Sequence, residues 1–158
     1  MIKFLDFFRI VAVCATIFFG YYIGYSGTTY DPVSQLHFMI PLVIIIVAGL
    51  SGLEGLLWGD KAAQEKGYEK GSNYQKQSAI AMLAVTFGAV IVNILEWGIE
   101  AEISILFVFL FFFIGSAINH AIDAIKNKNF KWQNVNRPFI MAFLSLSFLY
   151  PLIAYFVL

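Results

Sequence analysis

Three side chains in one stretch of the sequence have the types and the spacing that chemistry on a helix requires. His120 and Asp123 are three residues apart and Asn119 and Asp123 are four apart, so on a helix each pair shares a face. An imidazole beside a carboxylate can relay a proton, act as a general base or bind a metal ion. A further carboxylate, Glu54, stands within another apolar stretch of the chain.

Four uses of Glu54, Asn119, His120 and Asp123 stay open at this point. The group can be a polar clamp that fixes helix packing, or a proton or ion relay. It can be a metal site, although three ligands with one histidine make a small set. It can also be an enzyme site, with His120 as base and Asp123 as its orienter. The sequence identifies no catalytic residue and no cofactor, and leaves a metal unknown.

A second polar group falls near the opposite ends of the apolar stretches. It consists of His37, Asn93 and Glu96, and Asn93 and Glu96 would share one helix face. Glu96 adjoins Trp97, so it can equally reach the membrane interface. Four more polar residues lie next to this group in the predicted topology: Tyr30, Asp31, Glu100 and Glu102.

The chain is far more apolar than a soluble domain. Of its 158 residues, 60% are hydrophobic and 13% are charged, whereas soluble domains have about 45–50% and about 25%. Ten basic residues balance ten acidic ones, which excludes a typical nucleic-acid-binding protein. The single cysteine, Cys14, excludes an internal disulfide or a cysteine-based zinc site. These features indicate an integral membrane protein.

Five apolar stretches are long enough to cross a bilayer, which takes about 20 helical residues. They cover approximately residues 7–25, 36–58, 78–97, 103–125 and 138–157. Barrel strands would be about half as long and would alternate polar with apolar residues. The sequence therefore predicts an all-α fold, an integral membrane five-helix transmembrane bundle that forms one domain over residues 1–158. Proline 138 is expected at the start of the last helix.

The basic residues predict the orientation of the chain. All ten lie before or at the start of the first span, between the second and third spans, or between the fourth and fifth. With five spans these segments share one side, so the positive-inside rule predicts a cytoplasmic N-terminus and an outward C-terminus in the plasma (inner) membrane. Asp6 and Arg9 interrupt the start of the first apolar run, which favours a retained span over a secretory signal. The basic loops would attract anionic lipid headgroups.

This topology places Glu54 and His120 at one level. Each lies about six residues from the basic end of its span, or about 9 Å at 1.5 Å per residue.

Three function hypotheses follow. The protein is a module that binds or moves a small ligand, ion or lipid at an inner-leaflet polar site. It is a membrane enzyme acting on a lipid or quinone-like substrate with His120 as base. Or it is a structural or assembly subunit.

Small residues recur at the spacing of close helix packing. Gly20 and Gly24 form one GxxxG pair, and Gly55 and Gly59 form a second. Such ridges let helix backbones approach closely in a membrane. The spacing favours packing within one chain, with a seam between two copies as the alternative.

Several of these residues also carry a family resemblance. The segment GSAINHAIDAIKNKNF with the following NVN, and the upstream YQKQSAIAMLAVTFGA, resemble an uncharacterised family of small prokaryotic polytopic membrane proteins, a domain of unknown function. The resemblance spans roughly residues 54–138, and a weaker likeness to DoxX-like membrane proteins rests on size and helix pattern. The family resemblance implies a role for these positions: Glu54, Gln75, Gly115, His120, Asn129 and Asn134.

Overall fold

Helices account for the secondary structure of the part of the chain that the computed structural model describes, residues 2–67 and 70–157. The elements are α1 (Ile2–Gly24), α2 (Pro32–Ile44), a π-helical turn (Ile45–Gly49), α3 (Leu50–Lys66), α4 (Asn73–Ile94), α5 (Ile99–Lys126) and α6 (Trp132–Val157). Five helical segments are long and apolar enough to cross a membrane: Phe4–Gly24, Pro32–Glu65, Asn73–Ile94, Ile99–Lys126 and Asn134–Val157. The predicted all-α class with five membrane-spanning helices is confirmed.

The second span, formed by α2, the π turn and α3, is the centre of the bundle. It packs against α1, α4, α5 and α6. Half of its most apolar stretch is buried, against 17% for the first and third spans. Where this span meets α5 and α6, large apolar side chains of α2, α5 and α6 are fully buried: Leu36, Leu106, Phe109, Leu144 and Phe148. The outer helices need only one covered face, because lipid covers the rest.

Glycines let the second span approach its neighbours closely within one chain. A Cβ on Gly24 would lie 2.6 Å from Gln35 Oε1, and a Cβ on Gly20 would meet Met39, so α1 packs tightly on α2. A Cβ on Gly55 would lie 2.7 Å from the Cβ of Ala79 in α4. The predicted packing within one chain is confirmed at these glycines.

A cap moves the start of the second span ahead of its apolar run. Asp31 is the N-cap, and its carboxylate accepts hydrogen bonds from the backbone N–H groups of Val33 (3.0 Å) and Ser34 (3.1 Å). Pro32 follows at the first helical position, where its missing N–H costs nothing. Hydrogen bonds from the Ser34 side chain and backbone hold the pKa of Asp31 below its ordinary value. The helix therefore begins at Pro32 and not near residue 36.

The other end of the second span is marked by a kink. Trp58, the predicted last residue of this span, has non-helical backbone angles (φ −134°, ψ 25°) inside α3. The helix then continues to Lys66 and ends at Gly67, whose φ of 80° is the left-handed conformation that favours glycine. The kink separates the apolar part of α3 from a polar extension.

The last helix starts earlier than its proline. The backbone N–H groups of Asn134 and Val135 donate to the Lys131 carbonyl (2.9 and 3.2 Å), and α6 begins at Trp132. The prediction that this helix starts at Pro138 is wrong. Pro138 lies inside α6, where it cannot donate to the carbonyl four residues earlier. The extra turn brings Asn134 and Arg137 onto a helix instead of a loop.

Glu96 does not share a helix face with Asn93, contrary to the prediction. Helix α4 ends at Ile94, and Glu96 follows with a left-handed φ of 51°. Its N–H donates to the Asn93 carbonyl (3.3 Å) and the Trp97 N–H donates to the Val92 carbonyl (3.1 Å). This is the Schellman closure of a helix, which usually has glycine at the position of Glu96. The Glu96 side chain is exposed.

Replacing Glu96 by glycine is therefore expected to stabilise the protein. A left-handed conformation costs an L-residue about 1–2 kcal/mol and costs glycine little. We expect Glu96→Gly to raise the free energy of unfolding by about 1 kcal/mol, measured by denaturation of the purified protein in detergent. Glu96→Ala removes the same carboxylate but keeps a Cβ, so it should give no such gain. An equal gain in both variants would attribute the effect to the charge.

Candidate functional site

Two polar groups lie at the end of the bundle that carries the basic loops. The first, the Arg9–Glu54 pair, joins α1 to α3, and the second, the His120 group, joins α5 to Asn134 and Arg137 of α6. Lys131, just before α6, donates to the carbonyl of Gln64 near the end of α3 (3.1 Å), which links the loops at this end. Both polar groups therefore lie at the end of the bundle to which the sequence assigns the basic residues.

The Arg9–Glu54 pair is a buried ion pair. Glu54 is 1% exposed, and its carboxylate accepts a hydrogen bond from the Arg9 guanidinium. The guanidinium also donates to Asp6 (2.8 Å) and to the carbonyl of Leu50 (3.1 Å). A buried carboxylate of this kind requires a cation, because an isolated charge in the membrane is costly.

Polar side chains of α6 contact both ring nitrogens of His120. His120 is 7% exposed, and its Nδ1 lies 3.1 Å from Asn134 Oδ1. The Asn134 amide nitrogen donates to the carbonyl of Asn129 (3.2 Å), so its oxygen must be the atom that faces the ring. Nε2 faces the Arg137 guanidinium, which can only donate. Both ring nitrogens of His120 therefore face protein groups.

Asp123 organises the turn that follows α5. Its carboxylate accepts hydrogen bonds from the side-chain amides of Asn127 (2.6 Å) and Asn129 (3.0 Å). Asn129 also supplies the carbonyl that orients Asn134, so Asp123 supports the His120 group through this turn. Asn134 contacts the ring directly, and the orienting role predicted for Asp123 stays a prediction.

The remaining inner residues are placed as follows. Asn119 is exposed on α5. The meeting of Glu54 with His120 at one level of the bundle stays a prediction. Within residues 2–67 and 70–157, no group of three or more His, Cys, Asp or Glu side chains is arranged to hold a metal ion.

Sequence reasoning missed the two arginines. The sequence analysis uses Arg9 only for the topology, although a cation inside an apolar run itself indicates a partner in the membrane. It places Arg137 in a loop, because it expects the last helix to begin after this residue. The family resemblance did include Asn129 and Asn134, which the structure places in the His120 group.

The outer polar group is centred on Glu102 and not on Glu96. Glu102 is 3% exposed, and its Oε1 accepts hydrogen bonds from His37 Nδ1 (2.8 Å) and the Asn93 amide (3.4 Å). These contacts join α5 to α2 and α4. His37 and Asn93 therefore do meet, through a carboxylate from the next helix.

The other outer polar residues have contacts of their own. Tyr30 donates to Gln35 Oε1 (2.6 Å), and burial raises the pKa of the Tyr30 hydroxyl above its ordinary value. Glu100 accepts a hydrogen bond from the hydroxyl of Tyr155 in α6 (2.8 Å). These contacts lock the loop before α2 and the last helix to the outer end of the bundle.

A groove opens on the surface between α1 and α6 near the basic end. Its cavity of about 410 Å³ is almost entirely apolar. Its lining, called the α1–α6 groove below, consists of Ile10, Trp132, Val135, Asn136 and Phe139. Ile10 follows Arg9 in the sequence and Asn136 precedes Arg137, so both ends of the lining adjoin residues of the two inner polar groups.

Five apolar helices with ionic and polar pairs buried between them define a multi-pass helical membrane protein. The chain belongs to the DUF6790 family, a family of unknown function, whose family model matches residues 6–157. The predicted family resemblance is thus confirmed and extends over nearly the whole chain, whereas the likeness to DoxX-like proteins is not shown. No curated protein and no solved structure matches the chain.

Proposed function

We propose that this protein is a binding module for an anionic, lipid-like small ligand, which it takes up from the membrane leaflet next to its basic loops. From the positive-inside rule we infer that this leaflet is cytoplasmic, with the N-terminus inside and the C-terminus outside. The observation that carries the proposal is the α1–α6 groove, an open apolar recess of about 410 Å³ at the end of the bundle that carries the basic loops.

The chemistry of the groove suits an amphiphile with an apolar tail and a negative head. Phe139 and Trp132 are 73% and 70% exposed, so an acyl chain can reach their rings directly from the bilayer. Lys126, Lys128 and Lys131 are exposed at the same end of α5 and α6. Each basic residue near the membrane surface attracts anionic headgroups by about 1 kcal/mol.

In this proposal the inner polar groups hold the helix ends around the groove. Glu54 fixes Arg9 on α1, and His120 fixes Arg137 on α6, so the two walls of the groove are each tied to an interior helix. Asp123 supports the turn before α6, and Asn119 adds a polar position on the exposed side of α5. In this proposal these four residues support the ligand site, while the groove itself receives the ligand.

The two alternatives make different demands on the same contacts. A general base needs a ring nitrogen that is open to the substrate, and both nitrogens of His120 face protein groups. An enzyme with His120 as base would therefore need to break the Arg137 contact first. A structural subunit requires only the polar contacts, and its role would not depend on the groove.

A lipid-dependent stability measurement tests the proposal. The full chain in mild detergent is unfolded by heat with added phosphatidylglycerol, which is anionic, or phosphatidylcholine, which is zwitterionic. A ligand at one hundred times its Kd stabilises the folded state by about 2.7 kcal/mol. We therefore expect phosphatidylglycerol to raise Tm by roughly 5–10 °C and phosphatidylcholine to raise it much less.

Matched variants then locate the effect. Ile10→Trp fills the groove and should remove the phosphatidylglycerol effect, while Phe18→Trp, on an exposed position of the same helix, should keep it. Equal shifts with both lipids, or an unchanged shift in Ile10→Trp, would contradict the proposal and favour the structural alternative.

A further inference from the structure

We propose that Glu102 and His37 form a proton-binding pair at the end of the bundle opposite the basic loops, with His37 passing protons between the aqueous side and Glu102. The pair is separate from the α1–α6 groove and does not depend on the proposed lipid binding.

The Glu102 carboxylate has one satisfied oxygen and one that is not. Oε1 accepts the bonds from His37 and Asn93, whereas Oε2 is buried and has no hydrogen-bond partner within the described residues. A buried polar atom without a partner destabilises the fold, and more so when the group is charged. Binding a proton removes the negative charge, and with it the part of the cost that comes from burying a charge.

His37 connects this buried carboxylate to the outside. The His37 side chain is 57% exposed, whereas the side chain of Glu102 is buried, so one end of the contact is open and the other is closed. With a hydrogen on Nδ1, the imidazole donates to Glu102 Oε1. A proton arriving on Nε2 from water lets the Nδ1 proton pass to the carboxylate. The ring then ends neutral with its hydrogen on Nε2, and Glu102 ends as a neutral carboxylic acid.

The surroundings contain no competing titratable contact to Glu102 among the described residues. From α2 the facing group is His37, and from α4 it is the neutral amide of Asn93. Glu96 is exposed in the connection before α5, and Glu100 is bonded to Tyr155 of α6. Glu102 also lies in the first turns of α5, whose N-terminal dipole favours the ionised carboxylate. The burial of Oε2 disfavours the charged carboxylate, whereas the dipole favours it.

Infrared spectroscopy of the full chain in liposomes tests this site. As the pH falls from about 8 to about 5, the range in which histidine changes charge, we expect a protonated carboxyl band to appear. The band should disappear in Glu102→Gln and persist in Glu100→Gln, which changes an acid two residues away. Glu102→Asp keeps a carboxyl at the same position and should show a band. This comparison distinguishes loss of the carboxyl in Glu102→Gln from a folding defect caused by any substitution at this position.

The role of His37 has its own readout. In His37→Phe the carboxyl band should remain, but its hydrogen–deuterium exchange with the aqueous phase should slow at least several-fold. A purely structural histidine would leave this exchange rate unchanged. A wild-type protein without a pH-dependent band that depends on Glu102, or an exchange rate that is equal in His37→Phe, would overturn the proposal.

Discussion

Replacing Arg9 by methionine is expected to lower the free energy of unfolding by about 3–5 kcal/mol, the usual cost of removing one partner of a buried ion pair. Glu54 is 1% exposed and accepts a hydrogen bond from this guanidinium. Removing Arg9 withdraws the cation from a carboxylate that water cannot reach. Denaturant or thermal unfolding of the purified protein in detergent measures the loss.

A double-mutant cycle separates the charge effect from the loss of packing. Glu54→Leu combined with Arg9→Met removes both charges, and replacing a whole buried pair by apolar residues is often neutral. We therefore expect the double variant to recover most of the stability that Arg9→Met loses. Asp6→Asn is the matched control, because it breaks the more exposed bond of the same arginine and should cost under about 1 kcal/mol. If Arg9→Met lowers the free energy of unfolding no more than this control does, the buried Arg9–Glu54 pair is not a major contributor to stability.

The fold was predictable because its main determinants are local. A span requires a length of apolar sequence, and the basic residues sort the connections, so both can be counted without three-dimensional information. The differences between the predicted and observed helices occur at helix ends, where a single contact determines the residue at which a helix begins or stops. Asp31 extends the second span forward by capping it, and Gly67 ends its polar extension. Neither changes the number of spans.

The site was predictable only in part, because long side chains from the ends of other spans reach the buried residues that the sequence identifies. Ionisable residues at depth are rare enough to be noticed, which is how Glu54 and His120 were found. Their partners sit near the ends of other spans, and a long arginine side chain extends from there into the interior. Arg9 could have been paired with Glu54 by comparing depths. Arg137 could not, since its position depends on the extra turn before Pro138.

The outer group shows the limit of spacing arguments. The three-residue spacing of Asn93 and Glu96 places them on one face only if the helix continues, and α4 ends at Ile94 without a glycine to mark the stop. The carboxylate that Asn93 does meet belongs to Glu102, beyond the turn. His37 and Glu102 are 65 positions apart in sequence, so their contact follows only from how α2 packs on α5.

Gly52→Leu is the second substitution with a large expected effect. A Cβ at Gly52 would lie 2.7 Å from Leu83 Cγ and 2.9 Å from the backbone carbonyl oxygen of Ala79. The leucine side chain of Leu83 can rotate, but the carbonyl belongs to helix α4 and cannot yield without moving that helix. Overpacking of this kind costs about 1–3 kcal/mol and occasionally more, so we expect a loss of about 3 kcal/mol in unfolding experiments in detergent.

Gly59→Leu is the matched control, because it makes the same substitution in the same helix. A Cβ there would have no neighbour within 4 Å, so its stability should change by less than about 0.5 kcal/mol. The pair also tests the alternative that the small residues of α3, among them Gly52 and Gly55, join two copies of the chain. Since Ala79 and Leu83 belong to the same chain as Gly52, the loss should not depend on protein concentration. A loss that grows on dilution, together with a changed oligomeric state, would instead assign the ridge to an interface between copies.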